Sequence, residues 1–204
     1  MAITGKVGAV YVSDISAAPI VFLNEPTTAD AQLKRYQVTD AGFRYWDLTE
    51  PVTVKVNSAT VTSGFTLEHA GGFVEFDVAR DPLDVVTVSG QALTLVQAGG
   101  FFNWAVDGDG EDAEATTFQS QGWKEFVRTL NSWGGSADAY WGDRQFFDSL
   151  GEIIVVKFFV DAGPSQSCLE GFAIISGEGI EAPVDGLVQE TVDFTGTGPL
   201  YLRL

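Results

Sequence analysis

Alternation with a period of two runs through most of this 204-residue chain. It predicts short β-strands joined by tight turns. "KVGAVYVS" (6–13) reads as a first strand, while "DISAAPIVFLNEPTTADAQ" reads as loop, with two prolines among small polar residues. "KRYQVTDAGFRYWD" (34–47) mixes aromatics with bases. In "PVTVKVN" (51–57), Val52, Val54 and Val56 share a face. "GGFVEFDV" (71–78) and "DVVTVSG" (84–90) follow, each bounded by turn residues. The expectation is a β-meander over about residues 36–96.

"FFNWAV" (101–106) predicts another strand, running into "DGDGEDAE", five acids in eight residues and expected as a solvated loop. "WKEFVRTL" (123–130) fits either state: Trp123, Phe126, Val127 and Leu130 have helical spacing, but glycines flank a short run. "SADAYW" (136–141) predicts a strand. "DRQFFDSLG" (143–151) predicts a short helix capped by Asp143, with Phe146, Phe147 and Leu150 as its apolar face and Gly151 at its end. "EIIVVKFFV" (152–160) is β-branched and apolar throughout, as in a strand buried on both faces. "CLEGFAIIS" (168–176) follows. A Pro183–Gly186 turn then leads into "LVQETVDF" (187–194), where Val188, Glu190, Val192 and Phe194 share one face and Leu187, Gln189, Thr191 and Asp193 the other. The fold class expected is mainly β: an antiparallel sandwich or barrel with one short flanking α-helix.

Composition sharpens this picture. There are 28 acids against 11 bases, a formal net charge of −17. Such a surface gains nothing from displacing counterions on a phosphate backbone and disfavours anionic membranes. One cysteine, Cys168, excludes an internal disulfide, and one histidine, His69, excludes a multi-histidine metal centre. The opening residues lack a secretory pattern and no window has the length of a membrane span, so folding in a cytoplasm is expected.

Chemistry was sought and not found. His69, at an expected hairpin turn, reads as a solvated surface residue, with no nucleophile elbow to serve. Phosphate-binding glycine patterns are absent. Counted from Asp107, an EF-hand needs Gly at its sixth position and Glu at its twelfth; the chain has Asp112 and Phe118. Trp123, Trp133 and Trp141 suit sugar stacking, or a core or interface. The expectation is no enzyme, no cofactor and no metal.

One pattern is larger than any motif. "ATTFQSQGWKEFVRTLNSWGGSADAYW", a short helix, "GEIIVVKFFV" and "EGFAIISGEGIEAPVDGLVQETVDFTGTGPL" follow in order, ending on "VDGLVQETVDFTGTG" (184–198). Over roughly residues 98–204 this resembles the tail tube (major tail) proteins of bacteriophages with long, non-contractile tails, the siphovirus type. "KVGAVYVS" looks like that family's opening strand, and the 34–97 region resembles an N-terminal β extension of some members. The implied division is 1–33 as first strand and arm, 34–97 as a small inserted β module, and 98–204 as the tube core.

The resemblance implies a structural virion protein. Six copies would join their sheets into a ring, and stacked rings would form a conduit for DNA ejection into the host. An arm, at 14–32 here, would bridge rings. Its partners would be itself and other tail proteins such as tape measure, terminator and baseplate components. Genomic DNA would pass without specific binding, no membrane would be involved, and assembly in the bacterial cytoplasm would precede a place in the virion tail. Lumen-facing acid candidates are Glu190, Asp193, Asp107, Asp109, Glu111, Asp112 and Glu114. Interface or family-motif candidates are Gly122, Trp123, Trp133, Gly135, Ser136, Asp185, Gly186, Leu187, Gly196 and Gly198. The alternatives are the tube of a contractile injection device and a carbohydrate-binding β-sandwich.

Overall fold

A computed structural model describes residues 8–142, 145–160 and 167–204, with the backbone alone at Gln145 and Phe147. It is mainly β and antiparallel throughout its described pairings. The chain divides into two units: residues 1–10 with 98–204, and residues 11–97. It crosses between them within β1 (Ala9–Ser13) and again after β9 (Leu95–Gln97), whose register sets Tyr11 opposite Gln97.

The inserted unit holds β2 (Ile20–Ala29), β3 (Arg35–Val38), β4 (Thr53–Val56), β5 (Ala59–Val61), β6 (Phe65–Glu68), β7 (Phe73–Phe76) and β8 (Val86–Ala92). Their order is β5-β4-β8-β2-β3-β7-β6. The loop expected over 14–32 is corrected at its centre. Residues 20–29 pair with β8 at one end and β3 at the other, bending at an irregularity between Phe22 and Glu25 where Asn24 takes φ 52°. Two prolines and small polar residues concealed that strand, because a bent strand changes its buried face midway. Alternate residues of these strands meet in one core: Phe22, Tyr36, Val38, Trp46, Val54, Val74, Phe76 and Val88 are all buried there. Trp46 is fully enclosed and its indole N–H donates to the Phe43 carbonyl at 2.7 Å, which meets the requirement of a buried polar edge. His69 is not the solvated turn residue expected. It packs edge-on to Trp46 with ring centroids 5.9 Å apart, and its pKa is lowered by burial, against a smaller raising effect of Asp47.

The other unit contains β10 (Phe101–Glu114), β11 (Phe126–Tyr140), β12 (Ile153–Phe159), β13 (Cys168–Glu181) and β14 (Gln189–Arg203). Their order is β10-β11-β14-β13-β12, with β1 beside β12. Ile154, Val155 and Val156 are consecutive and all buried, so β12 is covered on both faces. The Phe158 ring on β12 lies 5.4 Å from Trp104 on β10 and 5.8 Å from Phe194 on β14. Strands four places apart in the order therefore meet face to face, so this sheet curls on itself around an aromatic core. Curling brings inward faces close, and small residues accommodate it: Ala137, Ala139 and Ala173 are buried there. The expected helix at 143–151 is reduced to one turn, α1 (Gln145–Asp148). Phe146 is buried but Leu150 is exposed, and Gly151, at φ 87°, ends the segment; Asp143 and the Phe147 side chain lie outside the described residues.

One buried charge in this unit is held by two cations. Glu170, 2% exposed, accepts from Arg203 Nε at 2.7 Å and faces Lys157 Nζ at 3.3 Å. It ties the end of β14 to β13 and β12. The neighbouring Cys168 thiol is buried, and burial pushes its pKa up.

Candidate functional site

The acidic run at 107–114 is strand, not loop: it is the outer half of β10, paired with β11 as far as Glu114–Phe126. The ambiguous stretch around 126–130 is strand for the same reason. Helical spacing lost because an antiparallel partner was available along its whole length. Together β10 and β11 form one long hairpin, and it does not stay in the sheet. β11 pairs with β14 only from Gly134–Thr195 to Tyr140–Gln189. Beyond Gly134 the hairpin continues alone as a two-stranded ribbon to a tip at 115–125. No hydrophobic side chain between Asp107 and Ser132 is buried; Phe118 is fully exposed, Trp123 is 79% exposed, and Phe126, Val127 and Leu130 are exposed too. A two-stranded ribbon without a covered face is marginal in water. Its charge pairs, Lys124–Glu114 at 2.9 Å and Arg128–Asp112 at 3.6 Å, are solvent-exposed and add little to its stability.

Trp133 marks the point of departure. It is 7% exposed, and its indole lies directly on Gly196 and beside Gly171, where a Cβ would stand 2.9 Å from its ring. Its N–H donates to the Gly198 carbonyl at 3.0 Å. Any side chain at 196 would occupy the space of the indole. Gly135, behind it, approaches Ala105 so closely that a Cβ would lie 2.8 Å from the Ala105 carbonyl oxygen. Trp133, Gly135, Gly196 and Gly198 are thus brought together as a wedge. Gly122 and Trp123 sit apart at the ribbon tip, and Asp185, Gly186 and Leu187 in the β13–β14 turn. The sequence groups these nine, with Ser136, by their order alone. The complementarity between an indole and a bare glycine sixty-three positions away has no local signal.

The two faces of β10, β11 and β14 differ sharply. Register puts Asn103, Ala105 and Asp107 on one side with Ser136, Asp138, Thr191, Asp193 and Thr195. Asp138 is held by Asn103 Nδ2 at 2.8 Å and Thr191 Oγ1 at 2.7 Å, a polar rung across three strands. From Asp107 to Thr191 nothing on this face is longer than Asp or Asn; Tyr140 and Gln189 follow on the next rung. Among the described residues of this unit, Lys124, Arg128, Lys157 and Arg203 each pair with an acid elsewhere. Glu190 lies on the opposite face with Val192 and Phe194, and is 6% exposed. It therefore leaves the group of channel-lining candidates; Asp193 and Asp107 stay on the open polar face. Asp109 opposes Ser132, and Asp112 opposes Arg128, out on the ribbon with Glu111 and Glu114.

Among the described residues no group of three or more His, Cys, Asp or Glu is placed to hold a metal ion, and no helix is long and apolar enough to cross a membrane. No family model matches the chain, and no curated protein matches it. Among solved structures it is similar to a chain in the tail of an empty gene transfer agent particle, from helical refinement with C6 symmetry: 17% identity, TM-score 0.45, over 54% of this chain and 87% of that one. A chain in the virion of a native gene transfer agent particle matches with the same identity and TM-score, over 54% of this chain and 89% of its own length.

Proposed function

We propose that this chain is the subunit of a phage tail tube, assembling with copies of itself into stacked, hexameric rings that conduct DNA during ejection. One observation carries the reading: a long β-ribbon leaves its own sheet with its apolar side chains unsheltered, and the outer edge of β10 has no strand partner among the described residues. Exposed edges of this length are made safe by pairing or covering in an assembly. The motif order over 98–204 supports the same reading. So does the open face of Asp107, Asp138 and Asp193, which carries no described cation; a polyanion passing over it releases no counterions and finds no anchor. Other tail proteins would cap and fill the tube, and the site of action would be the virion tail.

The carbohydrate-binding alternative loses Trp133 to the core and keeps Trp123 and the half-exposed Trp141. Sedimentation velocity and negative-stain imaging over a salt series decide the matter. Rings or tubes should form more readily as salt screens the like charges. A folded monomer at high protein and high salt concentration sinks the reading.

A further inference from the structure

Where the ribbon departs from the sheet it leaves a notch of about 800 Å³ between its base and the second half of β14. The notch lies wholly within the unit that carries the ribbon. Gly108 and Gly110 line one wall, Gly196 and Gly198 the other, with Trp133 between them and Arg128 at the rim. Beyond Thr195, β14 has no strand partner on this side, so its backbone edge borders the space. Gly108 and Gly198 leave backbone bare, while the Arg128 guanidinium covers Gly110 and the Trp133 indole covers Gly196, so the recess offers open backbone beside an aromatic ring and a cation. It suits a flat, bulky group that also carries hydrogen-bonding backbone.

The same chain displays such a group. At the ribbon tip the rings of Phe118 and Trp123 stand in solvent, flanked by backbone not engaged in a sheet. The tip cannot reach its own notch. β10 stays paired with β11 outward from it, through one irregularity between Gly110 and Asp112, and Gly110 to the tip is five or more residues, roughly 17 Å of strand. A protrusion and a recess at different places on one surface make a heterologous contact, which closes into rings or propagates as a filament. Resting on the self-assembly reading, we infer that the notch of one copy receives the aromatic ribbon tip of a second copy, with Phe118 as the inserted side chain and the β14 edge as its backbone partner.

The recess can be filled without disturbing the fold. A Cβ at Gly108 meets nothing within 4 Å, and the same holds at Gly179, away from the notch. Gly108→Trp should keep the wild-type melting curve and lower the polymer fraction at least tenfold. Gly179→Trp should polymerise as wild type. A photo-crosslinking phenylalanine analogue at position 118, in a mixture of isotopically light and heavy chains, should give light–heavy products joined to peptides spanning 108–110 or 196–200. Polymers with Gly108→Trp at wild-type levels, or crosslinks joined elsewhere or only within one chain, overturn the contact while leaving self-assembly intact. No polymer from the wild-type chain under any salt condition overturns both.

Discussion

The two units solve the same problem differently. The inserted unit, residues 11–97, folds its strands around a shared core with Trp46 sealed inside. The unit of residues 1–10 and 98–204 seals an aromatic core too, then extends residues 107–132 as a ribbon with no apolar side chain covered. Charge follows the same division: 17 acids against 6 bases in the ribbon-bearing unit, a net of −11, and 11 against 5 in the insertion, a net of −6. The insertion also leaves apolar side chains in water, Val21, Leu23, Val78 and Leu83 among them, but around a core of its own; the ribbon has no core beneath it.

The strongest way to break this comparison is to remove what each core rests on. Residues 11–97 expressed alone should fold and stay monomeric, with one cooperative thermal transition; a molten or aggregating fragment refutes the claim of self-sufficiency. Trp46→Ala in the insertion and Trp133→Ala in the wedge should each cost about 3–5 kcal/mol, seen by calorimetry as a loss in one unit's transition only. Glu170→Gln leaves two cations facing an uncharged amide and should cost roughly 3 kcal/mol. On the ribbon the expected effect on folding is far smaller: Val127→Ser with Leu130→Ser should move stability by no more than about 0.5 kcal/mol per site, yet abolish polymers.

The smallest effects are in proton linkage. His69 has a folded pKa below its ordinary 6.5. The unfolded chain therefore takes a proton that the native state resists, and the insertion should lose stability as pH falls through 6.5 toward the folded value. His69→Gln should flatten that slope in melting curves between pH 5 and 8. Glu178 behaves oppositely. Both its carboxylate oxygens are buried with no hydrogen-bond partner among the described residues, and burial, then Asp148, raises its pKa above 4.5. Its favourable share is present below pH 4.5 and lost as pH rises through the folded value, so Glu178→Gln should stabilise the ribbon-bearing unit at pH 7, by about 1 kcal/mol, and not at pH 4.

Most strands were legible because Val, Ile and Phe alternate cleanly where one face is covered, as in β4, β7 and β14, or run unbroken where both are, as in β12. Two regions escaped a strand reading for a shared reason, one expected as loop and one left open between helix and strand. The outer half of β10 and the first part of β11 have neither face covered, so their pattern records no burial, and acids and glycines there look like loop. β2 bends and exchanges its buried face, which erases its period. The site divides in the same way. The Trp and Gly positions were visible as candidates, but their assembly into a wedge depends on register across β11, β14 and β13. Glu190 and Asp193 differ in face by one step of alternation, so only the register placed one inside and the other out.

Cys168 has a practical consequence. Its thiol is enclosed and its pKa raised, so it is poorly available as a thiolate. A cysteine introduced at Asp193 or Thr195 would be the sole addressable sulfur in each subunit. Labels attached there would decorate any polymer at a single chemical position per repeat, turning the open face into a surface whose environment a dye can report.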